Sequence, residues 1–164
     1  MSYIYEGMYL LDNQVVRTDW QQAKSVVTNL IEKHGGKVLT ARRWDERRLA
    51  YTIAKRKRAT YLLAFAELPG SALETFRRDL EITESVLRYL LLRVDEVPEG
   101  ERELHEAELS SDFVAPSPPD DDAVDDDSDS PIRRGRASDD DDDDDVKVKV
   151  PSDDDSDIDE EEED

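Results

Sequence analysis

The chain of 164 residues contains no cysteine. Disulfides, thiolate zinc sites and a cysteine nucleophile are therefore excluded, and a reducing compartment suits the composition. Histidine is nearly absent: only His34 and His105 occur. No paired-histidine site can be built, and His34 reads as a cation at a helix end. The only asparagines are Asn13 and Asn29. Neither stands beside a suitable arginine, which removes the arginine and amide pair that a small α+β phosphatase would use on an anion. No G-x-x-x-x-G-K-[ST] loop and no G-x-S-x-G elbow is present, so the phosphate cradle of a nucleotide hydrolase and the nucleophile turn of a serine hydrolase are both missing. No catalytic residue, no metal site and no cofactor is expected. No apolar run approaches the length of a membrane span, and residues from Tyr3 onward alternate like a strand without a basic-apolar signal pattern. A soluble cytoplasmic protein with no membrane partner and no small-molecule substrate is the expectation.

Positive charge is scarce only in the second half. Residues 1–100 hold 16 Lys/Arg and 14 Asp/Glu, a net of +2, whereas residues 101–164 hold 6 and 29, a net of −23. The second half also lacks Trp and Tyr and contains the acidic runs Asp139 to Asp145 and Asp159 to Asp164. Such a segment buries too little apolar surface to offset the entropy of ordering. The charge break predicts a single folded domain over residues 1–98 and a disordered acidic tail over 99–164. Within the tail, Ile132 to Arg136 and Val146 to Val150 interrupt the acid and read as short docking elements or as local charge balance.

In the first half, Tyr3, Tyr5, Gly7, Tyr9 and Leu11 alternate with Ile4, Glu6, Met8 and Leu10, which predicts a strand with its tyrosines inward. Trp20, Ala23, Val26, Val27, Leu30 and Ile31 recur at helical spacing. Thr18 with Gln21 offers that helix a capping box, and Gly35-Gly36 ends it. Lys37 to Ala54 reads as a long or bent strand, and Ala59 to Leu68 as its hairpin partner, with Ala54 to Arg58 between them. Pro69-Gly70 breaks the second strand, Ser71 with Glu74 suggests a second capping box, and Leu73, Phe76 and Leu80 line another helix. Val86 to Val94 supplies a last strand. The order β-α-β-β-α-β predicts an α+β, ferredoxin-like split βαβ fold, with a four-stranded antiparallel sheet covered by two helices on one face.

The hairpin carries the functional signal. From Lys37 to Arg58 there are nine basic residues against two acidic ones, Asp45 and Glu46. Exposed strands carry some lysine and arginine to discourage edge pairing, but clustered cations this dense repel one another unless a polyanion neutralises them. Arg42, Arg43, Arg47, Arg48, Lys55, Arg56, Lys57 and Arg58 are the candidate nucleic-acid phosphate contacts. Leu49, Tyr51 and Ile53 are read as inward-facing partners of these cations. A base-stacking RNA-binding module with the same strand order is disfavoured: Ala59 to Leu68 lacks a basic-glycine-aromatic motif, and placing Tyr3, Tyr5 and Tyr9 on the open face would bury Glu6.

The segment Trp44, Arg47, Leu49, Ala50, Tyr51, Ile53 and Lys55, with Tyr5-Glu6 upstream, resembles the bacterial-type small-subunit ribosomal protein number six family across residues 3–97. Asp45 and Thr52 depart from the glycine and proline common in that family, which bears on local hairpin geometry. The resemblance implies the split βαβ fold and binding to the central domain of small-subunit ribosomal RNA. It also implies small-subunit ribosomal protein number eighteen as a partner, within the ribosome. If Tyr5, Tyr9, Leu49 and Tyr51 face the helices, then Met8, Leu10, Arg88, Leu90 and Leu92 form an open apolar face and are the candidate protein-partner contacts. The alternative reading is an acidic-tailed interaction protein that docks a protein partner through the same domain.

Overall fold

A computed structural model describes residues 1–123, so the acidic runs and the two short docking segments of the tail lie outside the described residues. The elements run β1 (Ser2–Asp12), α1 (Asn13–Thr18), α2 (Trp20–Lys33), β2 (Lys37–Ile53), β3 (Arg56–Pro69), α3 (Leu73–Ile82), β4 (Val86–Val94) and α4 (Glu101–Leu109). The four strands form one antiparallel sheet in the order β2-β3-β1-β4. This is the expected ferredoxin-like arrangement, extended by α1 and α4.

Strand alternation dictates the core. In β1, Tyr5, Tyr9 and Leu11 point to the helix side and are buried. They pack with Leu62, Ala64 and Ala66 of β3, Val27 and Ile31 of α2, and Phe76 and Leu80 of α3. Each large side chain fully removed from water contributes about 1.5–3 kcal/mol, so this cluster is the main source of stability. Burial also pushes the Tyr9 hydroxyl well above its ordinary range. Gly7 sits in the middle of β1 because a β-carbon there would stand 2.4 Å from the Tyr9 hydroxyl oxygen.

Helix starts differ from the capping boxes read in the sequence. The Asp19 carboxylate caps α2, accepting from the backbone N–H groups of Gln21 at 2.8 Å and Gln22 at 3.1 Å. Thr18 instead donates its hydroxyl to the Gln14 carbonyl within α1. That short helix is itself capped by Asp12, whose side chain accepts from the Gln14 N–H at 2.9 Å. Ser71 caps nothing, because Gly70–Ala72 form a 3-10 turn that leads directly into α3. At the far end of α2, Gly35 takes φ +74, the left-handed conformation that closes a helix.

The β2-β3 hairpin turns on Ala54 and Lys55, with φ +48 and +65. Two successive positive values identify the tight two-residue turn whose twist matches antiparallel strands, so β3 begins at Arg56, earlier than the sequence indicated. Register shifts between Val38 and Thr40 and between Arg43 and Asp45 interrupt the alternation of β2. The β1-β3 pairing stops at Asp12 and Ala59, so the hairpin tip extends past the sheet and past the helices that would cover it. Tyr51 is consequently exposed at 59% rather than inward, and Leu49 and Ile53 are only half-buried.

The boundary expected at residue 98 falls too early. Residues 101–109 form α4 against the outer edge of β2, and Phe113 and Ala115 pack onto the core. Hydropathy missed α4 because its buried residue is a carboxylate. Glu108 accepts from Lys24 Nζ at 2.8 Å, Trp20 Nε1 at 3.0 Å and the Arg43 N–H at 2.6 Å. His105 Nδ1 meets the Ala41 backbone, 3.3 Å from its N–H and 2.8 Å from its carbonyl oxygen. Side chains of α4 thus occupy main-chain groups that an edge strand otherwise offers to other chains.

Between α2 and α3, Asp79 accepts from Lys33 Nζ at 2.7 Å and lies 2.9 Å from His34 Nε2. Hydrogen bonds from Lys33 and then His34 hold its carboxyl below the usual carboxylate range. A lowered folded-state value means that the stabilisation is present above the unfolded carboxyl pKa and is lost as pH falls through the folded one. Wild type is therefore expected to exceed Asp79→Asn in stability down to about pH 4, the two converging below it. Denaturant unfolding across that range checks this, and a constant difference into strong acid would contradict it.

Candidate nucleic-acid interface

The fold separates the eight cations named from the sequence into two groups. Arg47, Arg48, Lys55 and Lys57 are exposed along the hairpin. The Arg47 guanidinium stacks 4.9 Å above the Trp44 ring and donates to Asp45 at 2.5 Å. Trp44 in turn lies 5.8 Å from Tyr61, centroid to centroid. Asp45 also accepts the Glu46 N–H at 2.8 Å, so the aspartate that stands in place of glycine organises the backbone at this bend of β2.

The other four are held by the domain. Arg42 makes two 2.8 Å hydrogen bonds to Glu101 of α4, and the bond to that carboxylate raises its pKa further. Arg56 donates to Asp12 at 3.0 Å and to Gln14 at 2.5 Å. Arg58 is buried and donates Nε and Nη2 to the two Glu46 oxygens, each at 2.9 Å. Arg43 is half-buried, donates to the Pro116 carbonyl, and burial lowers its pKa. Carboxylate partners distant in sequence thus hold Arg42, Arg56 and Arg58 to the domain, pairings that the charge pattern of the hairpin did not indicate.

Beneath the hairpin, Glu46 is the hub of a polar cluster. It accepts from Arg58 and from Asn13 Nδ2 at 3.1 Å, and Asn13 Oδ1 accepts the Thr60 hydroxyl at 2.8 Å. Asn13, Arg58 and Thr60 are all buried. Helix α1, which the sequence did not reveal, supplies Asn13 and so fixes the base from which the hairpin projects. A buried, mutually satisfied network holds one geometry, because each unpaired member would carry a desolvation penalty.

The segment after α4 returns over this same region. Arg17 of α1 donates to the Pro118 carbonyl at 2.9 Å and to the Pro119 carbonyl, and pairs with Asp120 at 2.8 Å. Asp121 accepts the Arg58 N–H at 3.2 Å, and Asp122 pairs with Lys57. The Lys57 hydrogen bond holds the Asp122 carboxyl below its usual range. Arg17 was not singled out in the sequence. No spacing rule joins it to residues 57 and 118–122, and only the tertiary structure brings them together.

On the opposite sheet face lie Met8, Leu10, Arg88, Leu90 and Leu92. Arg88, Leu90 and Leu92 are exposed, with Leu90 at 56% and Leu92 at 48%, and Met8 and Leu10 are half-buried beside them. Register places Met8 opposite Leu90 and Leu10 opposite Arg88. The Arg88 guanidinium sits 5.4 Å from the Tyr51 ring centroid and donates to its hydroxyl, so the hairpin leans onto this face. Among the described residues no cluster of three or more His, Asp or Glu is placed to hold a metal ion. No helix among them is long and apolar enough to cross a membrane.

The family model for Ribosomal protein S6 matches residues 4–93, which is the sheet, the helices α1 to α3 and the hairpin. The chain belongs to the ribosomal protein S6 family. It is similar to small ribosomal subunit protein bS6 of Bartonella bacilliformis, with 31% identity over 131 residues, covering 80% of this chain and 90% of that one. The bS6 protein of Fusobacterium nucleatum is 33% identical over 91 residues, covering 56% of this chain and 97% of its own. The crystal structure of 30S ribosomal protein S6 from Thermotoga maritima superposes with a TM-score of 0.51 at 23% identity, covering 57% of this chain and 89% of the other. That likeness supports the fold. Membership of the S6 family makes the chain a structural protein of the small ribosomal subunit, located with the ribosome, and not an enzyme.

Proposed function

We propose that this chain binds the central domain of small-subunit ribosomal RNA through the projecting hairpin, and that it does so jointly with small-subunit ribosomal protein number eighteen. The observation that carries the reading is the exposed row of Arg47, Arg48 and Lys55 on an arm that extends beyond the sheet. A phosphate backbone can approach such an arm from several sides. Phosphate contacts position a protein on RNA without reading its sequence. The apolar strip of Met8, Leu10, Leu90 and Leu92 with Arg88 is the proposed partner surface, since monomers rarely leave contiguous apolar patches in water.

Counterion release supplies the test. Converting Arg47, Arg48 and Lys55 to alanine in the full chain is expected to reduce the slope of log affinity against log salt by about one unit per phosphate contact removed. The measurement is titration of a central-domain RNA fragment with the partner protein present. An unchanged slope and affinity would overturn the assignment of these cations. Leu90→Glu with Leu92→Glu separates the two surfaces: the partner's contribution to affinity is expected to fall while the salt slope remains.

A further inference from the structure

The segment 116–122 returns over the basic end of the domain with Pro118 buried and with Asp120 and Asp122 exposed. Asp120 and Asp122 keep 87% and 84% of their side-chain surface in solvent, so their pairs with Arg17 and Lys57 are surface ion pairs. Each such pair contributes little and is screened by salt. Yet three successive aspartates and three proline carbonyls all converge on cationic or amide donors: Arg17, Arg43, Lys57 and the Arg58 N–H. This run carries one negative charge per residue, or at most about 3.3–3.6 Å of chain. A nucleic acid strand carries one phosphate per about 3.4 Å of helix axis. Over residues 120–122 the chain therefore presents roughly the charge density of the ligand proposed for this domain, while residues 116–119 contribute carbonyl groups and no charge.

We propose that residues 116–122 are an internal placeholder for a phosphodiester backbone. They occupy an anion track formed by Arg17, Arg43, Lys57 and the Arg58 amide, and RNA enters that track by displacing them. The proposal rests on the RNA-binding reading above and adds to it a second set of contacts, running from the hairpin to α1, together with a competitor built into the chain. The competition lowers affinity for any polyanion, so an RNA that also engages Arg47, Arg48 and Lys55 at the hairpin tip is favoured over one that does not. Weak, exposed pairs suit this role. Pro118 anchors the segment, whereas the solvated Asp120 and Asp122 yield to a ligand of higher charge.

The test uses the full chain and its Asp120→Asn, Asp121→Asn, Asp122→Asn variant, which preserves side-chain shape. On a central-domain RNA fragment at low salt, the variant is expected to bind about fivefold tighter, the sum of a few weak surface contacts. The gap is expected to close as salt rises, and to vanish when Arg17→Ala and Lys57→Ala are added to both forms. In the wild type, the backbone amide resonances of residues 120–122 are expected to shift on adding either the RNA or long-chain polyphosphate. RNA binding with equal affinities and unmoved resonances would overturn the placeholder while leaving the ribosomal RNA reading intact. Resonances that move with polyphosphate, in a protein that does not bind the RNA, would support the anion track and overturn that reading. Binding of neither ligand would overturn both.

Discussion

Glu108→Ala is expected to lower the unfolding free energy by about 3–5 kcal/mol, the range for removing one partner of a buried ion pair. The Lys24 and Glu108 side chains are only 8% and 4% exposed. Deleting the carboxylate strands the Lys24 ammonium, the Trp20 indole N–H and the Arg43 N–H in a site that water reaches poorly. The loss is not confined to α4. Detaching that helix also frees the Ala41 main-chain groups held by His105 and breaks the Arg42 to Glu101 pair. An uncovered β2 edge is then available to a second copy, so the variant is expected to self-associate more than wild type at the same concentration. Denaturant unfolding with sedimentation analysis measures both effects. A loss below about 1 kcal/mol, the scale of an exposed pair, would show that α4 is dispensable to the domain. Replacing Lys24 and Glu108 together by apolar residues of similar volume is expected to recover much of the deficit, because no unpaired charge remains.

Glu46→Ala is expected to produce the second large effect, a loss of about 3 kcal/mol or more. The Arg58 and Glu46 side chains are 5% and 11% exposed, and the substitution removes both carboxylate bonds to Arg58 and the bond from Asn13. Its functional consequence distinguishes geometry from charge. Removing an acidic residue from a basic hairpin would by long-range electrostatics tighten RNA binding. Loss of the network that anchors the hairpin to α1 predicts the opposite. Weaker binding by folded Glu46→Ala, with Glu46→Gln intermediate, is the expected result. Tighter binding would show that Glu46 acts only through its charge and that the hairpin keeps its position without it.

Much of the fold was legible because it depends on local periodicity. The alternation of β1 identified Tyr5 and Tyr9 as core residues, and the spacing of Trp20, Ala23, Val27 and Ile31 identified the buried face of α2. The hairpin and its family pattern were legible for the same reason, since turn and strands lie within one continuous stretch. Capping was harder. Asp19 and Thr18 are adjacent and chemically eligible, and the choice depended on α1, a six-residue helix too short to show a period.

The interface depended on more than local pattern. Sequence alone determined that a dense row of cations lies on a strand pair of a small α+β domain, because charge and alternation are properties of neighbouring residues. It did not determine which cations remain available. Arg42, Arg56 and Arg58 meet Glu101, Asp12 and Glu46, partners 59, 44 and 12 residues away, and Arg17 meets Asp120 only because α1 and the returning segment share one end of the sheet. The same holds for α4, which composition assigned to the acidic tail. A carboxylate looks like a solvated residue until a lysine, an indole and a backbone amide are folded around it, and packing alone decides that. Whether a charge is a ligand site or a structural pair depends on what lies within a few ångströms of it, and that distance is set by the tertiary fold.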